Sequence, residues 1–287
     1  MNSFANSFGL EADDMKTILS IFSVHPEIET AVLYGSRAVR RFKSGSDIDL
    51  VLTGKNLTDR IVLDVRSELS DSNVPYMIDV VAENEIKDEN LKREIDRTGK
   101  VFYMQIPTEQ DWANPYDDLD IGSAKECFFG KTLEEAEKMF VYNALHYQED
   151  VMWMPSVPFR YYVHAYMNYL LDSQSEHDTD TASCFLGLVE FKAGLYKAPP
   201  RTFWAHAKYT VWLASMRFLG VIKHNVNGYD NQSDQNDLRA VWLRVKETIE
   251  YIRNNPDWFD WNESIYGNLE ARTTRLLSWN ESTNSNS

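Results

Sequence analysis

The segment from Ala31 to Thr53 constrains this chain more than any other. An apolar run, Ala31 to Tyr34, stops at Gly35-Ser36, and a second run, Ile48 to Thr53, follows a basic stretch and brings Asp47 and Asp49 with it. Residues i and i+2 of a strand share a face, so these two carboxylates are expected side by side. Burying such a pair is costly unless a cation accompanies it, and a divalent metal is the natural guest. Gly35 and Ser36, at a strand-to-helix turn, would offer backbone N–H groups to a phosphate. A phosphate cradle beside paired carboxylates suggests metal-assisted phosphoryl or nucleotidyl transfer.

The flanking pattern sets the fold class. Leu10 to Val24 has the spacing of an amphipathic helix ended by Pro26, and Thr30 to Tyr34 reads as a buried strand. A helix over Leu57–Leu69, a strand over Tyr76–Val81, a helix over about Glu85–Arg97 capped by Gly99, and a strand over Val101–Met104 follow. This alternation predicts an α/β (α+β) domain with a mixed sheet over residues 1–106. Asp79 is an acid inside an otherwise apolar strand. Beside Asp47 and Asp49 it would complete three carboxylates, whereas alone it could accept hydrogen bonds from a neighbouring loop.

Gly-Ser, ten residues, then Asp-Ile-Asp-Leu resembles the signature of the DNA polymerase β-like nucleotidyltransferase superfamily. The fuller string GSRA…SDIDLVL, followed by the Asp79 strand and a helix ending near Gly99, resembles its minimal nucleotidyltransferase branch, over about residues 27–103. The resemblance implies that Asp47, Asp49 and Asp79 hold two Mg²⁺ ions and are catalytic. It implies that Gly35, Ser36 and Arg37 hold the phosphates of ATP or another nucleoside triphosphate. Arg40, Arg41 and Lys43 add a basic cluster that is either a phosphate contact or a solvated loop. Relatives often carry a basic residue and then Gly after GSRA, where this chain has Val39 and Arg40.

Beyond Pro107 the character changes, and all 8 Trp follow it. Residues 107–120 read as a linker, residues 121–280 as an all-α helical bundle, and 281–287 as a disordered tail. Thr132 and Glu135 form a capping-box pattern for a helix to about Asp150. Helices are expected over Phe159–Leu171, Thr181–Ala193, Thr202–Leu219, Leu238–Arg253 and Leu269–Leu277, with a polar loop over Gly228–Asp237. Arg201 and His206 match the R-x4-H spacing of helical-bundle ribonucleases, a match expected by chance about once here. His164 and the many aromatic residues read as core, or as an aromatic-lined cleft for an acceptor. Glu149 and Asp150 read as a solvated helix end.

Composition narrows the partners. A net charge of −15 argues against generic binding to nucleic-acid backbone. Two cysteines give no disulfide framework, no run approaches membrane-span length, and the first residues lack a signal peptide's pattern, so a cytoplasmic protein is expected. The reading is a Mg-dependent nucleotidyltransferase that moves a nucleoside monophosphate, AMP from ATP, to a hydroxyl of a protein or small molecule and releases pyrophosphate. Two alternatives stand beside it: a toxin–antitoxin interaction module built on the same fold, and an aminoglycoside-like antibiotic adenylyltransferase.

Overall fold

The computed structural model describes residues 8–114, 117–195 and 231–283. The chain divides into two compact units, Met1–Gln105 and Ile106–Ser287. The first is a mixed four-stranded sheet with helices and the second is helical among its described residues.

In the first unit, α1 (Ala12–Ser23) buries Met15, Ile18 and Phe22 along one stripe. Strand β1 (Thr30–Tyr34) runs into the one-turn α2 (Gly35–Ala38), and β2 (Ile48–Thr53) returns antiparallel to β1. Helix α3 (Asp59–Ser70) is capped by the Thr58 hydroxyl, which accepts from the Ile61 amide at 3.4 Å. It buries Val62, Val65 and Leu69 and crosses over to β3 (Ile78–Ala82), which lies parallel to β2. Helix α4 (Glu89–Thr98) then leads to β4 (Lys100–Met104) on the other edge, giving the order β3-β2-β1-β4. The apolar face carries Leu33, Ile48, Leu50, Leu52 and Val80 into one core with Ile18, Phe22, Val62 and Val65. The opposite face of the sheet carries the acids.

Element boundaries differ from expectation by a few residues, and two of the differences bear on the site. β3 starts at Ile78 rather than Tyr76, and the Tyr76 ring lies under the Arg37 guanidinium at 4.5 Å. The helix expected from Glu85 starts at Glu89, where Asp88 caps it by accepting from the Asn90 amide at 2.8 Å. Glu85 belongs instead to a 3₁₀ turn and accepts from Arg66 at 3.3 Å. Gly99 ends α4 with φ −57°, so left-handedness is not its task. A Cβ there would stand 2.6 Å from the Ile95 carbonyl oxygen and 2.8 Å from Val32, so the position demands glycine for space.

In the second unit, a 3₁₀ turn at Glu109–Trp112 buries Trp112 within the segment expected as a linker. Helix α5 (Leu119–Phe128), which sequence periodicity did not reveal, packs on α6 (Leu133–Trp153). The Thr132–Glu135 capping box forms, and α6 breaks at Asn143 (φ −160°, ψ 79°), whose side chain accepts from the His146 amide at 3.2 Å. Helix α7 (Ser156–Leu170) is the central element, with Phe159, Tyr162 and Tyr166 fully buried. Tyr166 stacks on Phe140 with centroids 4.9 Å apart and donates its hydroxyl proton to the Thr181 carbonyl at 2.7 Å. Helix α8 (Thr179–Lys192) follows.

The polar loop expected at Gly228–Asp237 is, from Asn231, the helix α9 (Asn231–Ala240). Its buried Asp234 pairs with Lys192, and Asp237 with Arg160 at 3.4 Å, so its inward face is charged and shows no apolar period. Val241 separates it from α10 (Trp242–Asn254). A short α11 (Glu263–Tyr266) precedes α12 (Leu269–Thr283), which continues into the stretch expected as disordered tail. The helix expected over Thr202–Leu219 and the Arg201/His206 pair lie outside the described residues. The buried rings of Tyr161, Tyr162, Tyr166 and Tyr169 are core. No helix among the described residues is long and apolar enough to cross a membrane.

Candidate active site

The polar face of the sheet is built by register. Asp49 on β2 pairs with Asp79 on β3 and, on its other side, with Tyr34 at the end of β1. Paired residues of neighbouring strands share a face, so these three side chains project together. Asp47 precedes β2 by one residue and is exposed, Asp49 is half-buried, and Asp79 is exposed. The three carboxylates do not close as a set to within 4.8 Å of one another, as expected of like charges.

Burial is the first cause that lifts the Asp49 carboxyl above the ordinary carboxylate range, with Asp79 and then Asp47 adding to it and Arg37 opposing. Tyr34 is lifted too, by burial first and then by Asp49 and Asp79. Sequence reasoning did not single out Tyr34 as a site residue. Alternation along β1 carried the signal, since Leu33 is core and Tyr34 must therefore face the acids.

Gly35 fits this site in two ways. Its φ of +70° is a left-handed conformation that a side chain resists, and a Cβ there would lie 2.5 Å from the Asp49 carboxylate. The chain can place Asp49 against the turn only because residue 35 is glycine. Ser36 follows in α2, partly exposed.

Arg37 has a different task from the phosphate contact expected of it. It is 1% exposed, and its guanidinium donates to the backbone carbonyls of Ser46 (2.7 Å), Asp47 (3.1 Å), Phe8 (2.8 Å) and Gly9 (3.1 Å). Its ring partners are Phe42 and Tyr76. A cation committed to four carbonyls and buried holds the Ser46–Asp47 loop in place and is not presented to a ligand. Arg40, Arg41 and Lys43 remain exposed. Arg40 has φ +56°, so the loop keeps a glycine-like conformation at the position where the resembled family often has glycine.

Residues 16–107 match the family model described as Polymerase beta, Nucleotidyltransferase. No curated protein matches the chain. With the mixed sheet, the Gly-Ser turn and the acids on one sheet face, residues 16–107 are a nucleotidyltransferase domain of the DNA polymerase β-like superfamily.

Proposed function

We propose that the chain transfers a nucleoside monophosphate, AMP from ATP, to a hydroxyl of a protein or small-molecule acceptor. The observation that carries this is the direct pairing of Asp49 with Asp79 on a face that also holds Tyr34 and abuts Gly35.

The donor set fits magnesium. Asp47, Asp49 and Asp79 offer only carboxylate oxygens, which hard cations prefer, and Asp49 already suffers from its like-charged neighbours. A two-ion site is also wider than a single-ion shell, which suits three acids that do not close on one point. Bound there, the ions would neutralise charge on the triphosphate and on the departing pyrophosphate.

The chain's own groups would do the rest. Asp79, exposed at the edge strand, accepts the proton of the acceptor hydroxyl as its oxygen attacks the α-phosphorus. The bond from the α-phosphorus to the oxygen bridging to the β-phosphate breaks, and pyrophosphate leaves with that electron pair. Backbone N–H groups at Gly35 and Ser36 face the β,γ-phosphates, and Arg37 fixes the loop that positions Asp47. The acidic surface suits a cationic or protein acceptor over a nucleic-acid backbone.

The test mixes the purified full chain, Mg²⁺ and each of four α-labelled nucleoside triphosphates with lysate. Labelling of a protein band or of a small molecule, lost in the Asp47→Asn/Asp49→Asn variant, supports the proposal and tells the two acceptor classes apart. Equal labelling by both proteins would sink it.

A further inference from the structure

The helical unit holds a second cluster of metal-ligating groups, chemically unlike the acids of the sheet. His146 and Asp150 are one turn apart on α6 and so share a face, and α5, which packs on α6, brings Cys127 to them. One donor atom from each of the three lies within 4.8 Å of the other two. Among the described residues this is the one place where three His, Cys, Asp or Glu donors come so close.

Asp150 supplies an independent observation. It was expected on a solvated helix end, yet it is 8% exposed and α6 continues to Trp153. Its Oδ1 accepts from the Ser123 hydroxyl at 3.2 Å, while its Oδ2 is buried and has no hydrogen-bond partner. A buried carboxylate oxygen without a partner is costly to desolvate. Acids dominate the surroundings. Asp120 is pushed up by burial and then by Asp118, Glu149 and Asp150, and the Cys127 thiol is pushed up by burial and then by Asp150. The positive charges that act on the cluster are those of Lys131 on Cys127 and of His146 on Asp150, and the Cys127 thiol itself donates to the Asp150 carboxylate.

We propose that Cys127 Sγ, a ring nitrogen of His146 and Asp150 Oδ2 bind one divalent transition-metal ion of the Zn²⁺ type. Sulfur, nitrogen and oxygen together select a borderline ion over Mg²⁺ or Ca²⁺, which favour oxygen alone. Metal–ligand bonds of about 2.0–2.3 Å place tetrahedral ligand atoms somewhat under 4 Å apart, so the three donors need shift by only about an ångström to close. On binding, the thiol proton leaves to solvent and a metal–sulfur bond forms. The thiolate and the Asp150 carboxylate then carry the two negative charges that a divalent ion neutralises. His146 is exposed and Cys127 half-exposed, which leaves an entry path. Three protein ligands leave a fourth position open to water or another ligand.

Cobalt is the probe, because it reports its ligands by colour. The purified full chain, carrying Asp47→Asn and Asp49→Asn to silence the carboxylate site, is titrated with Co²⁺. The proposal expects intense visible bands of a four-coordinate ion and a near-ultraviolet thiolate-to-cobalt band, saturating at one ion per chain and bleached by Zn²⁺. Cys127→Ser should remove the near-ultraviolet band, while Cys184→Ser keeps it. His146→Gln and Asp150→Asn should each weaken binding by at least about tenfold. Weak, six-coordinate cobalt bands in the unmodified helical unit, or a thiolate band that survives Cys127→Ser, would overturn the assignment. The first of these readings needs no variant in the cluster, so misfolding of a variant cannot mask the answer.

Discussion

Asp49 and Asp79 stand opposite each other across the parallel β2–β3 pair, two negative side chains in adjacent register on one face. Like charges directly across a ladder destabilise it, so this arrangement works against the fold. With its folded-state pKa raised, Asp49 binds its proton more tightly folded than unfolded. The protonated form therefore favours folding at low pH, and this contribution fades as pH rises through the folded value. At neutral pH Asp49→Asn should raise the melting temperature while abolishing nucleotidyl transfer. A variant that loses both stability and activity would place Asp49 in the scaffold instead.

Gly35→Ala should be costly twice. The left-handed φ penalises any Cβ by about 1–2 kcal/mol, and the new methyl meets the Asp49 carboxylate. Denaturant unfolding should show a loss of at least that size, together with a drop in kcat. Gly45, also left-handed at φ +83° but with open space around its would-be Cβ, is the control. Its alanine variant should lose stability alone.

Arg37 is predicted to act on stability, not on nucleotide affinity. Arg37→Lys removes the fork that serves the Ser46, Asp47, Phe8 and Gly9 carbonyls at once. The expected loss is about 2–4 kcal/mol in chemical denaturation, from several buried acceptors left without donors. If instead stability holds and only KM for the triphosphate rises, Arg37 faces the phosphates after all.

His164, buried in α7, is held down to about 3 by burial first and by the Arg244 charge second. The unfolded chain protonates this residue near its ordinary value of 6.5 while the folded chain does not. Stability from this residue is thus complete above that pH and falls as pH drops toward 3, by at most about 1.4 kcal/mol per unit. His164→Gln should flatten the fall of stability between pH 6.5 and 4.5 in thermal melts, whatever its cost at neutral pH.

Local chemistry determined what was legible in the chain. β1 and β2 were read to their ends because apolar runs are bounded sharply by Gly35, Asp47 and Gly54. Alternation spoke only for Asp47 and Asp49; the pairing of Asp49 with Asp79 depends on the register of β2 with β3, which no pattern within one strand encodes. The carbonyl contacts of Arg37 were not legible, because a basic residue after Gly-Ser resembles a phosphate ligand and only tertiary structure brings Phe8 and Gly9 to its guanidinium. Helix α9 was missed because it buries Asp234 and Asp237 through ion pairs with Lys192 and Arg160. Periodicity sees hydrophobic faces, and this face is charged. The Cys127–His146–Asp150 cluster was invisible for a further reason: one of its members comes from α5, a helix without a clear apolar stripe.

The Arg37 contacts also give Phe8 and Gly9, ahead of α1, an unexpected part. Phe8 and Gly9 lie far in sequence from Ser46 and Asp47, yet all four carbonyls share one guanidinium. Shifting Phe8 or Gly9 would slacken the loop that carries Asp47, although Phe8 belongs to the apolar core and not to the face of the acids. A tag or cleavage placed there thus becomes a remote handle on catalysis, and an engineered anchor at Phe8 a means of switching it.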